Sequence, residues 1–217
     1  MTYQPIVVTI DQFETFVKTH PKGDLLQLPA WGEVKSATGW THERIAVGTA
    51  SGEIAGVGLL LFKKVPKLPF TLCYAPRGFV VDYTDTDALR ALRDEAIRVA
   101  KQQKAIAIKF DPNVEREEYP GLLQEMQGLG FKHNGFGGGF DYAQPRFTME
   151  TNLEGTEKEI FDGFHSKFRY NVRLAERKGI VCEQADREGL KTFAKLMVET
   201  GERDGFSIRG LDYFENL

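Results

Sequence analysis

One short stretch of the chain concentrates positive charge at helical spacing. Arg169, Arg173 and Arg177 recur every four residues, so a helix would place them on one face. Lys167 and Lys178 lie at the two ends of this stretch, and its only acid is a glutamate. Such a face can follow the phosphates of an RNA backbone, and it can equally be an ordinary solvated helix face. The sequence leaves both interpretations open.

Outside this stretch the chain is acidic. Five cations and one acid give the stretch +4, and the whole chain carries −3, which leaves −7 on the rest. This balance argues against a uniformly basic nucleic-acid-binding protein, and we expect no DNA partner. Phe161, Phe164 and Phe168 fall on a neighbouring face of the same predicted helix and are expected to lie in the core.

Several common catalytic signatures are missing from the sequence. It contains no GxSxG, no HExxH and no phosphate loop ending in Gly-Lys-Ser/Thr. The four histidines do not have metal-ligand spacing, so we expect no metal site. The glycine-rich run at 135–139 does not stand between a strand and a capped helix, and a linker is favoured over a phosphate cradle.

Alternating segments predict a mixed α/β fold. The predicted strands are 6–10, 42–47, 53–62, 70–74 with 79–81, 105–110 as a buried strand, 131 onward, 146–153 and 180–184. A first helix is capped by Thr9 or Asp11. The other predicted helices are 29–35, 85–104, 119–129, 156–178, 187–203 and 211–217.

The flexible composition near Gln144-Pro145 predicts two sub-domains, 1–144 and 145–217. The second has only two predicted strands, too few for a core of its own, and its last helical pattern stops without a cap. We therefore expect the chain to be cut within its second sub-domain.

Sequence features also bear on location. No apolar run approaches the ~20 residues that span a bilayer, and the N-terminal residues do not form a secretory signal. Cys73 and Cys182 lie far apart in apolar segments and are expected to be buried thiols in a reducing compartment. A cytoplasmic location is the expectation.

A series of short segments, in order along nearly the whole chain, shares the pattern of one enzyme family. The first, 27–35, fits Q-x-x-x-W-x-x-x-K, and the others are 74–79, 110–112, 144–146, 169–179, 202–209 and 213–214. Together they resemble the FemABX family, transferases that use aminoacyl-tRNA to build peptidoglycan cross-bridges. No single segment would suffice for this identification.

The resemblance implies two tandem GNAT-like (acyl-CoA N-acyltransferase-like) sub-domains with mixed sheets, flanking helices and a cleft between them, the second being incomplete here. It implies transfer of an amino acid from aminoacyl-tRNA to the stem-peptide lysine of a peptidoglycan precursor, either UDP-linked or lipid-linked. Aminoacyl-tRNA is then a co-substrate and no cofactor is implied. We expect a monomer, and a lipid-linked acceptor would place it at the inner face of the membrane.

The resemblance also implies roles for particular residues. Lys35 and Arg209 match cationic ligands of the precursor diphosphate, and Tyr213 matches a substrate-contacting tyrosine. Asp111 matches a carboxylate that accepts the proton of the attacking amine. Each has an ordinary alternative: a surface lysine, a loop ion pair, a core tyrosine, and a cap before Pro112.

Two other functions compete with this one. The first is a non-catalytic module that binds a precursor or a partner protein. The second is a GNAT-like enzyme using acyl-CoA, which predicts a pyrophosphate-binding glycine loop before a helix; no such loop is found in the sequence. Turnover separates the transferase from the binding module.

Overall fold

The structure, a computed structural model, describes residues 2–115, 117–133 and 148–217. The chain divides into two compact units, 1–138 with 216–217, and 139–215. The glycine-rich run at 135–139 and the predicted boundary at Gln144-Pro145 lie outside the described residues, so the sub-domains 1–144 and 145–217 stay a prediction.

The first unit is built on a six-stranded mixed sheet. Its strands are β1 (Gln4–Pro5), β2 (Trp40–Gly48), β3 (Ile54–Lys64), β4 (Thr71–Ala75), β5 (Val80–Val81) and β6 (Ala105–Phe110). The order is β1-β2-β3-β4-β6, and β5 pairs with β3. Neighbouring strands are antiparallel except for β4 and β6, which are parallel. The strands predicted at 42–47 and 53–62 are confirmed as β2 and β3, which form an antiparallel hairpin.

The described residues of this unit form four α-helices: α1 (Ile10–Thr19), α2 (Pro29–Ser36), α3 (Thr86–Gln102) and α4 (Leu122–Gly128). A capping box starts α1, with Gln12 N–H donating to Thr9 Oγ1 (3.1 Å) and Thr9 N–H donating to Gln12 Oε1 (2.9 Å). Because the helix begins at Ile10, the strand predicted at 6–10 is wrong. Only Ile6 N–H reaches the sheet, at Ala46 O (3.0 Å).

The sheet carries a core on each face. Leu89, Leu92 and Ala96 of α3 belong to the larger core, together with inward side chains of β2, β3 and β4. Phe13 and Val17 of α1 form the smaller core with alternate residues of the same sheet, Ala46, Val57 and Val80. This alternation follows from the two-residue period of a strand.

Strand β6 forms where it was predicted, but it is not a buried strand. It pairs with β4 on one side only among the described residues, and Ile106 is 59% exposed. The other expected strand nearby, from 131 onward, does not form over 131–133. A strand needs a hydrogen-bonding neighbour, and the described residues offer none there.

The described part of the second unit contains four helices and no strand. They are α5 (Glu157–Gly163), α6 (Ser166–Arg177), α7 (Arg187–Asp204) and α8 (Leu211–Asn216). The predicted strands at 146–153 and 180–184 are wrong over their described residues, because no strand pairs with them. Ile180 and Val181 are 66% and 77% exposed. Cys182 is exposed too, against expectation, whereas Cys73 is buried.

The helix predicted at 156–178 is in fact two helices. Phe164 adopts extended backbone (φ −70°, ψ 150°), which ends α5, and the His165 ring accepts from Lys167 N–H to start α6. Phe168 is 55% exposed, so its expected place in a core is wrong.

The mixed α/β fold class is confirmed, with a mixed sheet flanked by helices in the first unit. No helix in the described ranges has both the length and the apolar character to cross a membrane.

Candidate functional site

A break in the pairing of β3 creates the first part of the site. Along one edge β3 pairs with β5 at Gly56 and Val57 and with β4 from Leu61 to Lys64, so residues 58–60 lack a partner strand there among the described residues. Gln27 is fully buried in this break. Its Oε1 accepts from Leu59 N–H (2.6 Å), and its Nε2 donates to Pro76 O (2.5 Å). The glutamine therefore fastens the loop after β4 to the sheet.

That loop holds Asp111, at the end of β6. Arg77 N–H donates to Asp111 Oδ1 (2.9 Å), and Tyr74 Oη donates to Asp111 Oδ2 (2.8 Å). Burial raises the pKa of Asp111 above its ordinary value, against the opposing effect of these two hydrogen bonds and of the Lys109 and Arg77 cations. The carboxylate thus anchors the loop after β4. Proton acceptance by Asp111 stays a prediction.

The loop approaches the segment after Asp111 too closely for a side chain at Gly78. Gly78 has φ +77°, and a Cβ atom there would stand 2.5 Å from Tyr83 Oη and 2.8 Å from Pro112 Cα. Arg77 is also left-handed (φ 58°), and its Nε lies 3.7 Å from Asp24 Oδ2. These constraints fix the backbone that presents the Arg77 N–H to the carboxylate.

Lys35 lies between two tryptophans. Its Nζ is 5.6 Å from the ring centroid of Trp31, one turn earlier in α2, and 5.4 Å from that of Trp40, at the start of β2. Lys63 stands opposite Trp40 in the β2–β3 register, with its Nζ 5.7 Å from the same ring and donating to Thr38 O (2.6 Å). Two ammonium groups thus lie near one indole ring, an arrangement suited to an anionic ligand.

Trp40 and Lys63 were not singled out from the sequence. The signal that could have found them is the hairpin register, which sets residue 40 opposite residue 63. The motif in 27–35 names Gln27, Trp31 and Lys35.

Arg209 and Tyr213 come together in the second unit. Arg209 is exposed and precedes α8, and its Cζ lies 5.4 Å from the centroid of the Tyr213 ring. Because α8 begins at Leu211, Arg209 reaches the ring from outside the helix. The contact is a cation–π pair, with the guanidinium exposed.

The three arginines of α6 are not equivalent. Arg169 donates to the carbonyl oxygens of Asp162 (2.8 Å) and Phe164, and so caps the end of α5. Arg173 and Arg177 are exposed, with their Cζ atoms 5.1 Å from the Phe161 ring and 5.9 Å from the Tyr170 ring. Of the predicted phosphate surface, Arg173 and Arg177 are exposed, whereas Arg169 has a structural role.

The candidate residues are thus distributed over both units. Lys35 and Asp111 belong to the first, and Arg209, Tyr213 and the arginines of α6 belong to the second. The clamp of two cations on one diphosphate stays a prediction. Over the described ranges, no group of three His, Cys, Asp or Glu side chains could hold a metal ion.

Comparison with known proteins identifies relatives along the whole chain. A model described as the FemAB family matches residues 8–217. A Staphylococcus aureus protein named lipid II:glycine glycyltransferase is 54% identical over 212 residues, which are 97% of this chain and 50% of that protein. A solved structure described as the crystal structure of FemX has a TM-score of 0.87 at 53% identity, covering 98% of this chain and 53% of that one. The chain spans about half the length of the curated relatives it matches.

Proposed function

The chain belongs to the FemAB family, as its resemblance to FemABX proteins predicted, and we propose that it is part of a peptidoglycan cross-bridge aminoacyltransferase. The observation that carries the proposal is the 54% identity, over 212 residues, to a protein named lipid II:glycine glycyltransferase. From that name we take glycine as the transferred amino acid and lipid II as the acceptor. Glycyl-tRNA is the proposed donor, and the stem-peptide lysine is the proposed site of attachment.

The proposed reaction is aminolysis of an ester. The lysine amine attacks the carbonyl carbon of the aminoacyl ester, and a tetrahedral oxyanion forms. The bond from carbon to the ribose oxygen then breaks, leaving a new amide and a free ribose hydroxyl. The amine loses one proton, which we assign to Asp111 as acceptor, and the departing ribose oxygen gains one proton to become the hydroxyl. Burial supports this role, because the raised pKa of Asp111 makes its carboxylate a stronger base than an ordinary aspartate.

The proposed ligands of the precursor diphosphate are Lys35 and Arg209. Each cation lies over an aromatic ring, which orients the charged group. Tyr213, which holds the Arg209 guanidinium, is proposed to contact the same substrate. Diphosphate recognition by two charge-assisted contacts agrees with a UDP-linked or lipid-linked precursor.

Substitution tests the binding residues. Lys35→Met and Arg209→Met should each weaken binding of UDP-linked muramyl pentapeptide by about 1.5–3 kcal/mol, measured by calorimetry. Lys18→Met and Arg203→Met are matched controls, because these cations pair with Glu14 and Asp204 on helix surfaces. Binding that is unchanged in both test variants would return Lys35 and Arg209 to ordinary surface roles.

Transfer itself is tested with glycyl-tRNA and lipid II. Because the chain spans half of its relatives, it is assayed alone and fused at Leu217 to the remaining half of the Staphylococcus aureus relative. The expected product is the precursor carrying the mass of added glycine, and acetyl-CoA in place of glycyl-tRNA should give none. Precursor binding without transfer by a folded fusion would favour the non-catalytic binding module instead.

A further inference from the structure

Two polar side chains meet at the carboxyl ends of the parallel strands β4 and β6. Tyr74 is the last residue but one of β4, and Asp111 directly follows β6. Tyr74 Oη donates to Asp111 Oδ2 (2.8 Å), although the two residues lie 37 positions apart in the chain. Sheets of α/β proteins commonly bind their ligands at the carboxyl ends of parallel strands, so this pair lies where a substrate is expected.

The pair lies on the face of these two strands that does not form the larger core. Ala75 of β4 belongs to that core, and Phe110 of β6 packs against it. Side chains alternate along a strand, so Tyr74 and Lys109, which are partners in the β4–β6 register, lie on the opposite face. Tyr74 and Asp111 are each partly exposed, so solvent, and with it a substrate, can reach the pair.

The proposed reaction needs two proton transfers, and Asp111 accounts for one of them. Its carboxylate takes a proton from the amine, whereas the departing ribose oxygen must gain a proton. In the tetrahedral intermediate the amine nitrogen and the ribose oxygen are bonded to the same carbon, so they lie roughly 2.4 Å apart. The group that protonates the oxygen therefore stands beside the group that deprotonates the nitrogen.

Tyr74 is a proton donor in that place. Among the described residues, the groups that donate to Asp111 are Arg77 N–H and the Tyr74 hydroxyl. A backbone amide does not give up its proton, whereas a phenol can act as a general acid. An ionised carboxylate has about four lone-pair sites, so Asp111 can hold both donors and still accept from the amine. Lys109 Nζ lies 5.8 Å from the centroid of the Tyr74 ring, and its positive charge stabilises the phenol oxygen as the proton leaves.

We propose that Tyr74 is the general acid of the transfer reaction and gives its proton to the departing ribose oxygen. This inference rests on the proposed function. When the ester bond breaks, its electron pair leaves with the ribose oxygen, which takes the Tyr74 proton, and the oxyanion re-forms the carbonyl group. Asp111, which the amine has protonated, then returns that proton to the Tyr74 oxygen. One proton thus passes in net from the amine to the ribose hydroxyl, and both side chains regain their starting states.

A change of leaving group tests the proposal, with the fusion protein as enzyme and lipid II as acceptor. Tyr74→Phe should lower kcat with glycyl-tRNA by roughly 100-fold or more, with little change in KM, because general acid catalysis contributes at least about that much. The second donor is glycyl-tRNA in which sulfur replaces the ribose oxygen of the ester. A thiol has a pKa of about 8.5, so the sulfur leaves as a thiolate without a proton donor. On this thioester the kcat of Tyr74→Phe should stay within about threefold of the parent value, because no general acid is needed.

Two control variants accompany this comparison. Tyr3→Phe removes a matched hydroxyl, which donates to Asp85 Oδ2 (2.7 Å) at the start of α3, and it should change the rate with neither donor. Asp111→Asn removes the proposed base, so it should slow transfer from the ester and from the thioester alike.

The outcomes separate this inference from the proposed function. A parent fusion that transfers glycine, together with a Tyr74→Phe variant that keeps the parent rate, would overturn the role of Tyr74 alone. An equal loss of rate on the ester and the thioester would also overturn it, because a tyrosine that only holds Asp111 in place affects both donors. A parent fusion that transfers glycine from neither donor would overturn the proposed function, and the role of Tyr74 with it.

Discussion

The buried Gln27 offers the sharpest test of how the loop at Asp111 is held. Replacing Gln27 with leucine keeps the side-chain size but removes both hydrogen-bonding groups. Leu59 N–H and Pro76 O would lose the partners that lie 2.6 Å and 2.5 Å away. Leu59 lies at the break in the pairing of β3, and Pro76 lies in the loop after β4, so no strand in the described part of the chain replaces either lost bond.

The expected loss of stability follows from these two groups. A buried polar group left without a partner costs about 1–3 kcal/mol, so two cost about 2–6 kcal/mol. The apolar leucine recovers part of this in the fully buried site. We expect the free energy of unfolding to fall by about 3 kcal/mol, a large part of the ~5–15 kcal/mol typical of a domain.

Urea unfolding followed by circular dichroism measures this change. Gln124→Leu is the control, because Gln124 is exposed on α4, and it should alter stability by less than about 0.5 kcal/mol. If the free energy of unfolding of Gln27→Leu lay within about 1 kcal/mol of the parent value, the bridging role of Gln27 would be refuted. That margin is about the contribution of one ordinary hydrogen bond.

A second variant separates the two bonds. In Gln27→Glu the carboxyl oxygen still accepts from Leu59 N–H, but the ionised group cannot donate to Pro76 O. Burial favours the protonated form, so the folded-state pKa of the new glutamate is raised. Stability should therefore be nearest the parent at low pH and fall as pH rises through that pKa. If the stability difference between Gln27→Glu and the parent did not change with pH, the hydrogen bond from Gln27 to Pro76 O would be contradicted.

Three further predictions concern other residues. Burial raises the pKa of Asp111, so at pH values just above the ordinary pKa of 3.8 the folded chain keeps this proton while the unfolded chain has released it. The resulting contribution to the free energy of unfolding is lost as pH rises through the folded-state pKa. Asp111→Asn should therefore remove this pH dependence of the free energy of unfolding, measured by urea titration. Burial raises the pKa of the Cys73 thiol to about 12, whereas Cys182 is exposed. Iodoacetamide should therefore label only Cys182 in the native chain and both thiols in urea. Labelling of both thiols in the native chain would contradict the burial of Cys73. If Arg173 and Arg177 contact RNA phosphates, replacing both with glutamine should reduce the slope of log affinity against log salt by about 1.4–1.8, and an unchanged slope would leave them as a solvated face.

The local parts of the fold could be predicted from the sequence because their causes are local. Thr9 with Gln12 caps α1, and Asp85 caps α3 at Ala88 N–H (3.0 Å). The Ala50-Ser51-Gly52 segment forms the turn between β2 and β3, as its small and turn-favouring residues indicate. The errors in the strands arose where a strand depends on distant partners. The apolar run 105–110 forms a strand, yet its exposure depends on which strand lies beside it.

The same distinction explains what was missed at the site. Lys35 and Trp31 are four residues apart on one helix, so their contact follows from spacing. Gln27 instead bonds residues 32 and 49 positions away, and no local pattern shows that β3 lacks a partner strand there. The break between Phe164 and His165 was hidden for another reason, since the apolar period continues across it and Arg169 caps the first helix from the second.

Glycine transfer is the most direct test of the proposed function. The folded fusion protein is incubated with lipid II and glycyl-tRNA, and the stem peptide is sequenced by tandem mass spectrometry. We predict glycine attached to the lysine side chain, and only when charged tRNA is present. An unmodified stem peptide, from a fusion that folds and binds lipid II, would contradict the transferase assignment.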